Sequence, residues 1–174
     1  MSYAFALTRA EIQELSRVNT LRGVLAVAFD FATIAAIACL FERFAPGWLY
    51  PLALIGIGTR LNSLGVHMHE AAHYRIAKPI WLNDLIGEVL LSWPFFFTLE
   101  GYRGKHLDHH QNLNTAQDPD WARKQLDPTY WRFPRSQAQM LGLLLVDLSG
   151  LHFFKFYAFI RSSNRYAGRR PTSR

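Results

Sequence analysis

The sequence predicts an all-α integral membrane protein: a transmembrane helical hairpin, interfacial helices and a cytosolic region rich in histidine. Three observations predict it. Half of the 174 residues are apolar and 14% are aromatic, which suits a lipid-facing surface as well as one core. Two apolar stretches, 24–41 and 48–66, each have about the length of a bilayer crossing and are separated only by "ERFAPG". Histidines then gather directly after the second stretch and again further on.

Charge and cysteine content exclude other classes. The net charge of +6 does not form a nucleic-acid footprint. Its basic residues are scattered between apolar segments and collect in the tail from Arg161 to Arg174, so membrane topology explains them and no nucleic-acid partner is expected. Cys39 is the lone cysteine and lies in an apolar run, which leaves neither a disulfide framework nor a thiolate metal site. Any metal must be held by histidine or carboxylate.

Residues 1–23 read as an amphipathic segment. Thr8 and Glu11 are spaced as a capping box, and Ile12, Leu15, Val18 and Leu21 form one stripe. Its acidity is wrong for a signal peptide and no small-residue cleavage site follows, so the next segment is expected to stay in the mature chain.

The hairpin occupies 24–66. Val24 to Phe41 is apolar except for Asp30 and Thr33, and the returning helix begins with Trp48 and Tyr50 at interface positions and Pro51 in its first turn. Asp30 and Arg60 are equally far from Ala45 at the turn, which places them at similar depth on antiparallel helices. A charge in lipid needs a partner or water, so either the two pair with each other or Arg60 snorkels toward the side of the histidines.

Residues 67–135 hold the histidines. His69 and His73 share a helical face, while His67 points elsewhere, because two residues rotate a helix by about 200°. His106, His109 and His110 stand at i, i+3 and i+4, again one face. Two clusters at metal-ligand spacing predict a metal site, and imidazoles without thiolates suit iron. "HEAAH" also fits the zinc protease pattern HExxH, with Glu70 as base, but that site needs one further ligand and leaves two imidazoles over.

"HEAAH" at 69–73, followed by "HLDHH" at 106–110 and "NLNTAQDPDW" at 112–121, resembles the first two histidine boxes of the membrane fatty acid desaturase family. The hairpin before the first box falls where the family has it. The resemblance implies a non-haem centre of two iron ions on the cytosolic face. It further implies O2 as co-substrate, an acyl lipid substrate and two electrons from an external donor such as ferredoxin or cytochrome b5. The implied ligands are His69, His73, His106, His109 and His110. An unactivated alkyl C–H has no acidic proton and no leaving group, so side chains alone cannot attack it and the hard step falls to metal and oxygen. Glu70, Asp108, Asp118 and Asp120 are candidates to fix the imidazole tautomers from behind, although the acids of "QDPD" also suit a helix N-cap or Asx turn beside Pro119.

Within this region 80–97 predicts an interfacial helix. A crossing there would separate the boxes, and Leu82, Leu85, Ile86, Val89, Leu90 and Trp93 make one stripe opposite Asp84 and Glu88. Pro94 ends or kinks it, and the aromatic run after it packs or walls an acyl tunnel. Residues 136–174 predict an interfacial or partly inserted helix and a basic tail, since a crossing at 140–160 would bury Asp147, His152 and Lys155. His152 lies outside either box and is expected to be structural.

The family pattern has a third box, another HxxHH, which this sequence does not contain. The resemblance therefore implies a partial ligand set on an N-terminal fragment of a desaturase. A related di-iron hydroxylase or carotenoid ketolase, a membrane zinc protease and an inactive membrane remnant are the alternatives.

Overall fold

The computed structural model describes residues 7–127 and 130–168, and every regular element among them is helical. The first six residues of the amphipathic segment and the end of the basic tail, 169–174, lie outside them. Two compact units divide the chain, one ending at Gly87 and the other beginning at Glu88, so each histidine cluster has its own unit.

In the first unit, α1 (Arg9–Leu15) opens on the expected capping box: the Thr8 N–H donates to the Glu11 carboxylate at 2.7 Å and the Glu11 N–H to the Thr8 hydroxyl at 3.3 Å. The Thr8 N–H, and then the Thr8 hydroxyl, which donates to the same carboxylate at 2.7 Å, hold the Glu11 carboxyl below its ordinary pKa. The helix stops sooner than its apolar stripe predicts. Asn19 accepts the Arg22 N–H at 3.0 Å and opens a new helix, α2 (Thr20–Phe44), which takes Leu21 out of the α1 stripe.

α2 is the one described helix long and apolar enough by itself to cross a membrane. Phe29 on it is 61% exposed and Phe44 76%, which suits lipid better than water. Counting two bent helix pairs as one span each, Ile80–Phe95 with Leu99–Gln111 and Gln137–Leu148 with Phe153–Asn164, gives up to three candidate spans.

α3 (Tyr50–Ala72) starts with Pro51 in its first turn and packs along α2. It has the length to cross, but Thr59, Arg60, Asn62 and Ser63 interrupt its apolar run. Three pairs of neighbours set the antiparallel register. Gly23 meets Ile76, Asp30 meets Arg60, and Gly56 meets Ile37.

Asp30 is 1% exposed and its Oδ1 accepts from Arg60 Nη1 at 3.1 Å, the pair that matching depth predicts. His67 joins them, with Nε2 3.2 Å from Asp30 Oδ2. That third member was not legible in the sequence.

The expected helix over 80–97 is not one helix. α4 (Ile80–Ile86) runs into a π-helical turn at Gly87–Ser92 and then a 3-10 turn at Trp93–Phe95. Pro94 has no N–H and its ring collides with the carbonyl four residues back, so the backbone ahead of it abandons α geometry. Phe96, with φ +63°, ends the segment.

The second unit carries α5 (Leu99–Gln111), α6 (Pro119–Leu126), α7 (Gln137–Leu148) and α8 (Phe153–Asn164). The helix expected across 140–160 is likewise two, α7 and α8, bent by 73° at a break containing Gly150 in the left-handed region at φ +76°. α5 packs on α8 and on α6. Gly101 permits the closest approach, since a Cβ there would stand 2.7 Å from the Ser163 carbonyl oxygen.

Candidate metal centre

The first histidine cluster sits at the C-terminal end of α3. Its last turn closes as a Schellman motif: the Arg75 N–H reaches the Glu70 carbonyl at 2.9 Å and the Tyr74 N–H the Ala71 carbonyl at 3.1 Å. Tyr74 takes the left-handed conformation this requires, φ +58°, a position that costs a non-glycine residue about 1–2 kcal/mol. Asn83 of α4, fully buried, knits the turn by donating to the Ala71 carbonyl at 2.9 Å and accepting the Ile76 N–H at 3.2 Å.

His69 and His73 emerge one turn apart with ring centroids 4.8 Å from each other, and each offers a ring nitrogen within 4.8 Å of the other's. Glu70 Oε1 lies 3.2 Å from His69 Nδ1. A carboxylate there leaves Nε2 of His69 as the donor for a metal.

The second histidine cluster is on α5, whose start is held from three sides. Thr98 caps it, accepting the Gly101 N–H at 3.2 Å. Glu88 accepts the Leu99 N–H at 2.6 Å and the Trp93 indole N–H at 2.7 Å. Asn164 of α8 accepts the Thr98 N–H and donates to the Phe96 carbonyl, both at 2.9 Å. Every early N–H so satisfied fixes where the helix points three turns later.

At that later turn, His106 and His110 face one another with Nε2 atoms 2.9 Å apart. Two imidazole nitrogens bound to one ion at about 2.1 Å and about a right angle stand about 3 Å apart, so this pair fits a shared metal without rearrangement. His109 turns to Asp118, whose Oδ1 lies 2.8 Å from Nδ1, which frees its Nε2 for a metal.

Asp118 is 1% exposed and also caps α6: it accepts the Asp120 N–H at 2.8 Å and the Asn114 N–H at 2.9 Å. Burial by itself raises its pKa. The bond from His109 and those from the backbone N–H groups of Asn114, Asp120 and Trp121 outweigh it and hold the carboxyl well below the usual range. The two roles that "QDPD" suggests as alternatives therefore coincide in one side chain.

Asp108 and Asp120 sit elsewhere. Asp108 accepts from the Asn112 side chain at 2.9 Å, and Asp120 lies 3.3 Å from Lys105 Nζ. His152 is outside both clusters, paired with Asp147 and edge-on to Tyr130 at 5.2 Å.

Two neighbours of the second box are not among the residues its motif singles out. Tyr102 stacks flat on His106, centroids 5.6 Å apart, and burial, with the Asp120 charge behind it, raises the pKa of its hydroxyl. The spacing of four was a visible signal. Lys105, 6% exposed, lies over the Phe159 ring at 4.1 Å, and its pKa falls through burial, which the Asp120 partner only partly offsets. Nothing in a solvent-type residue between Gly104 and His106 announces that burial.

The comparisons with known proteins agree with this chemistry. A profile of the family described as fatty acid desaturase matches residues 46–174. The chain is 35% identical over 112 residues to dihydrorhizobitoxine desaturase of Bradyrhizobium elkanii, covering 63% of this chain and 31% of that one. Over 78 residues it is 36% identical to sn-1 oleoyl-lipid 12-desaturase of Anabaena variabilis, 44% of this chain and 22% of that one. Over 146 residues it is 28% identical to sn-1 acyl-lipid omega-3 desaturase (ferredoxin) of Nostoc sp. (strain 36), 79% of this chain and 37% of that one. The chain thus spans little more than a third, or less, of each of these relatives. No solved structure matches it. With both boxes inside the matched residues, the chain belongs to the fatty acid desaturase family.

Proposed function

We propose that the chain carries two of the histidine boxes of a membrane fatty acid desaturase, in which His69, His73, His106, His109 and His110 help to hold two iron ions. The observation that carries this is the second box, where Nε2 of His106 and of His110 lie 2.9 Å apart within a chain of this family. Bound iron would supply the O2 chemistry that removes two hydrogens from adjacent acyl methylenes, with two electrons and two protons taken up and two waters formed. The chain's own residues present and orient donors. Asp118 holds His109 in the tautomer that offers Nε2, Glu70 lies at the equivalent nitrogen of His69, and the buried start of α5 fixes the direction of all three imidazoles on it.

An acyl lipid is the proposed substrate, since two of the relatives are named for acyl lipids. Ferredoxin, which one of those names includes, or cytochrome b5 is the proposed electron donor. The proposed topology is multi-pass: α2 and α3 cross and return, the helical turns of 80–97 lie at the interface, α7 and α8 lie there or insert in part, and the boxes face the cytosol. Cysteines placed at Ser2 and Gln111 in a Cys39→Ser background should then label from one side of the membrane, and labelling from opposite sides would refute the topology.

Metal analysis of the protein purified from membranes, with acyl products followed by mass spectrometry, tests the chemistry. In a protein that joins this chain to a third histidine box, iron bound in the parent and lost together with double-bond formation in His106→Ala and His110→Ala is the expected result, whereas the 174 residues alone should hold iron weakly and give no turnover. Zinc at one equivalent, or full activity in either variant, would sink it.

A further inference from the structure

Asp30 sits in the one described helix long and apolar enough by itself to cross a membrane, 1% exposed, where an unpaired carboxylate costs several kcal/mol. Its two partners both come from α3: Arg60 Nη1 at 3.1 Å and His67 Nε2 at 3.2 Å. Arg60 and His67 are about two helical turns apart on one stripe of α3. One carboxylate gripping two turns fixes both the rotation and the axial shift of α3, which sliding apolar contacts do not.

The rotation matters because the first box begins two residues after His67. His69 is turned from His67 by about 200°, and His73 lies on the same face as His69. A helix that shows His67 to α2 shows both box histidines to the opposite side. Beyond the box, α2 grips the chain again. A Cβ on Gly23 would stand 2.1 Å from the Ile76 carbonyl oxygen, and the Lys78 N–H donates to the Thr20 hydroxyl at 3.0 Å; Arg75 adds a bond to the carbonyl of Ser16, the C-cap of α1, at 2.6 Å. The first box is braced on both sides by one helix.

We infer that Asp30 is a positioning residue for the first histidine box: through Arg60 and His67 it sets the rotation of α3 that aims His69 and His73 away from α2 and at a metal ion. The aim at a metal rests on the ligand role proposed above, whereas the rotation does not.

The test uses the purified chain in detergent with Co2+ as the probe. Asp30→Leu removes the hydrogen bond to Arg60 and the contact with His67 but leaves the Arg60 guanidinium without its carboxylate, so circular dichroism first establishes that the variant is helical. His67→Leu removes the contact with Oδ2, and His67→Gln keeps an N–H donor for the carboxylate. Co2+ affinity should fall about tenfold in the two leucine variants, with an altered ligand-field spectrum, and His67→Gln should recover most of both. A purely structural role would shift the melting temperature without that recovery. Unchanged Co2+ affinity and spectrum in Asp30→Leu, or no difference between His67→Gln and His67→Leu, overturns the inference.

A second measurement is independent of metal. A Cβ on Gly56 would lie 3.0 Å from Cδ1 of Ile37, so cysteines at 37 and 56, in a Cys39→Ser background, report the setting of α3 on α2 by their rate of disulfide formation. Asp30→Leu should slow it severalfold, and an unchanged rate overturns the rotation. Co2+ affinity and ligand-field spectrum both unchanged by His69→Ala with His73→Ala refute the ligand role of the first box instead, and the disulfide rate then decides the rotation alone.

Discussion

Asp118 Oδ1 stands 2.8 Å from Nδ1 of His109, and the same carboxylate caps α6. The two functions can be separated by chemistry. Asp118→Asn retains a good N-cap but removes the charge behind the imidazole, whereas Asp118→Ala removes both. Asp118→Ala should lower stability by about 1 kcal/mol, the usual worth of a cap. Both variants should weaken Co2+ binding, by about 10–100-fold. Thermal melting and metal titration in detergent check the two effects independently. Equal Co2+ affinity in parent and Asp118→Asn would show that the carboxylate serves only the cap.

Gly101 is where α5 touches α8. A Cβ there would meet the Ser163 carbonyl oxygen and the Thr98 hydroxyl oxygen at 2.7 Å each and Asn164 Cα at 2.8 Å, two of them backbone atoms that cannot step aside. Gly101→Ala should therefore destabilise the second unit by about 1–3 kcal/mol, as overpacking does. Gly142, whose added Cβ would meet nothing within 4 Å, is the control. Alanine there should be neutral or slightly stabilising, because glycine inside a helix costs about 0.5–1 kcal/mol.

Asn83 holds the turn after the first box through a side chain with no exposed surface. Asn83→Leu leaves the Ile76 N–H without the bond it makes at 3.2 Å, a loss of about 1–3 kcal/mol for a buried donor. Amide hydrogen exchange at Ile76 should accelerate in this variant while exchange in the middle of α2 stays slow. Uniform acceleration would mean that the first unit opens as a whole.

Asp127, in the loop after α6, is held below the ordinary carboxylate pKa by its bond from Lys155, against the opposing effect of burial and with the help of the Tyr130 N–H. A carboxyl lowered in the folded state stabilises fully above its unfolded pKa of about 3.9 and loses that contribution as pH falls through the folded value. The loop should thus stay docked on α8 at pH 5–7 and loosen only below the ordinary carboxylate range. Carbon NMR of labelled aspartate checks it: Lys155→Met should return Asp127 towards its ordinary titration, and no movement would remove Lys155 as the cause.

Helical spacing was legible wherever the cause is local. The capping box at Thr8, the proline start of α3 and the shared faces of His69 with His73 and of His106 with His110 all follow from rotation per residue and from orphaned N–H groups. Asp30 with Arg60 was legible too, because a tight turn equates depth with distance from the turn. The breaks were read less well. The stretches 80–97 and 140–160 each carry a plausible stripe, and the stripe does not register that Pro94 widens the backbone before it or that Gly150 lets the chain turn between α7 and α8.

What the sequence by itself determined is which atoms are available: imidazoles at metal-ligand spacing, a lone cysteine far from them, and one carboxylate inside a long apolar stretch, where it must find a partner. Only the tertiary structure decided which partner each one has. His67 joins Asp30, Asp118 takes His109 while capping its own helix, Asp120 goes to Lys105, and Glu88 caps α5 from a turn eleven residues earlier. The reason is physical. Periodicity fixes the direction of a side chain around its own helix, but a hydrogen bond needs its second atom within about 3 Å, and packing between helices sets that distance.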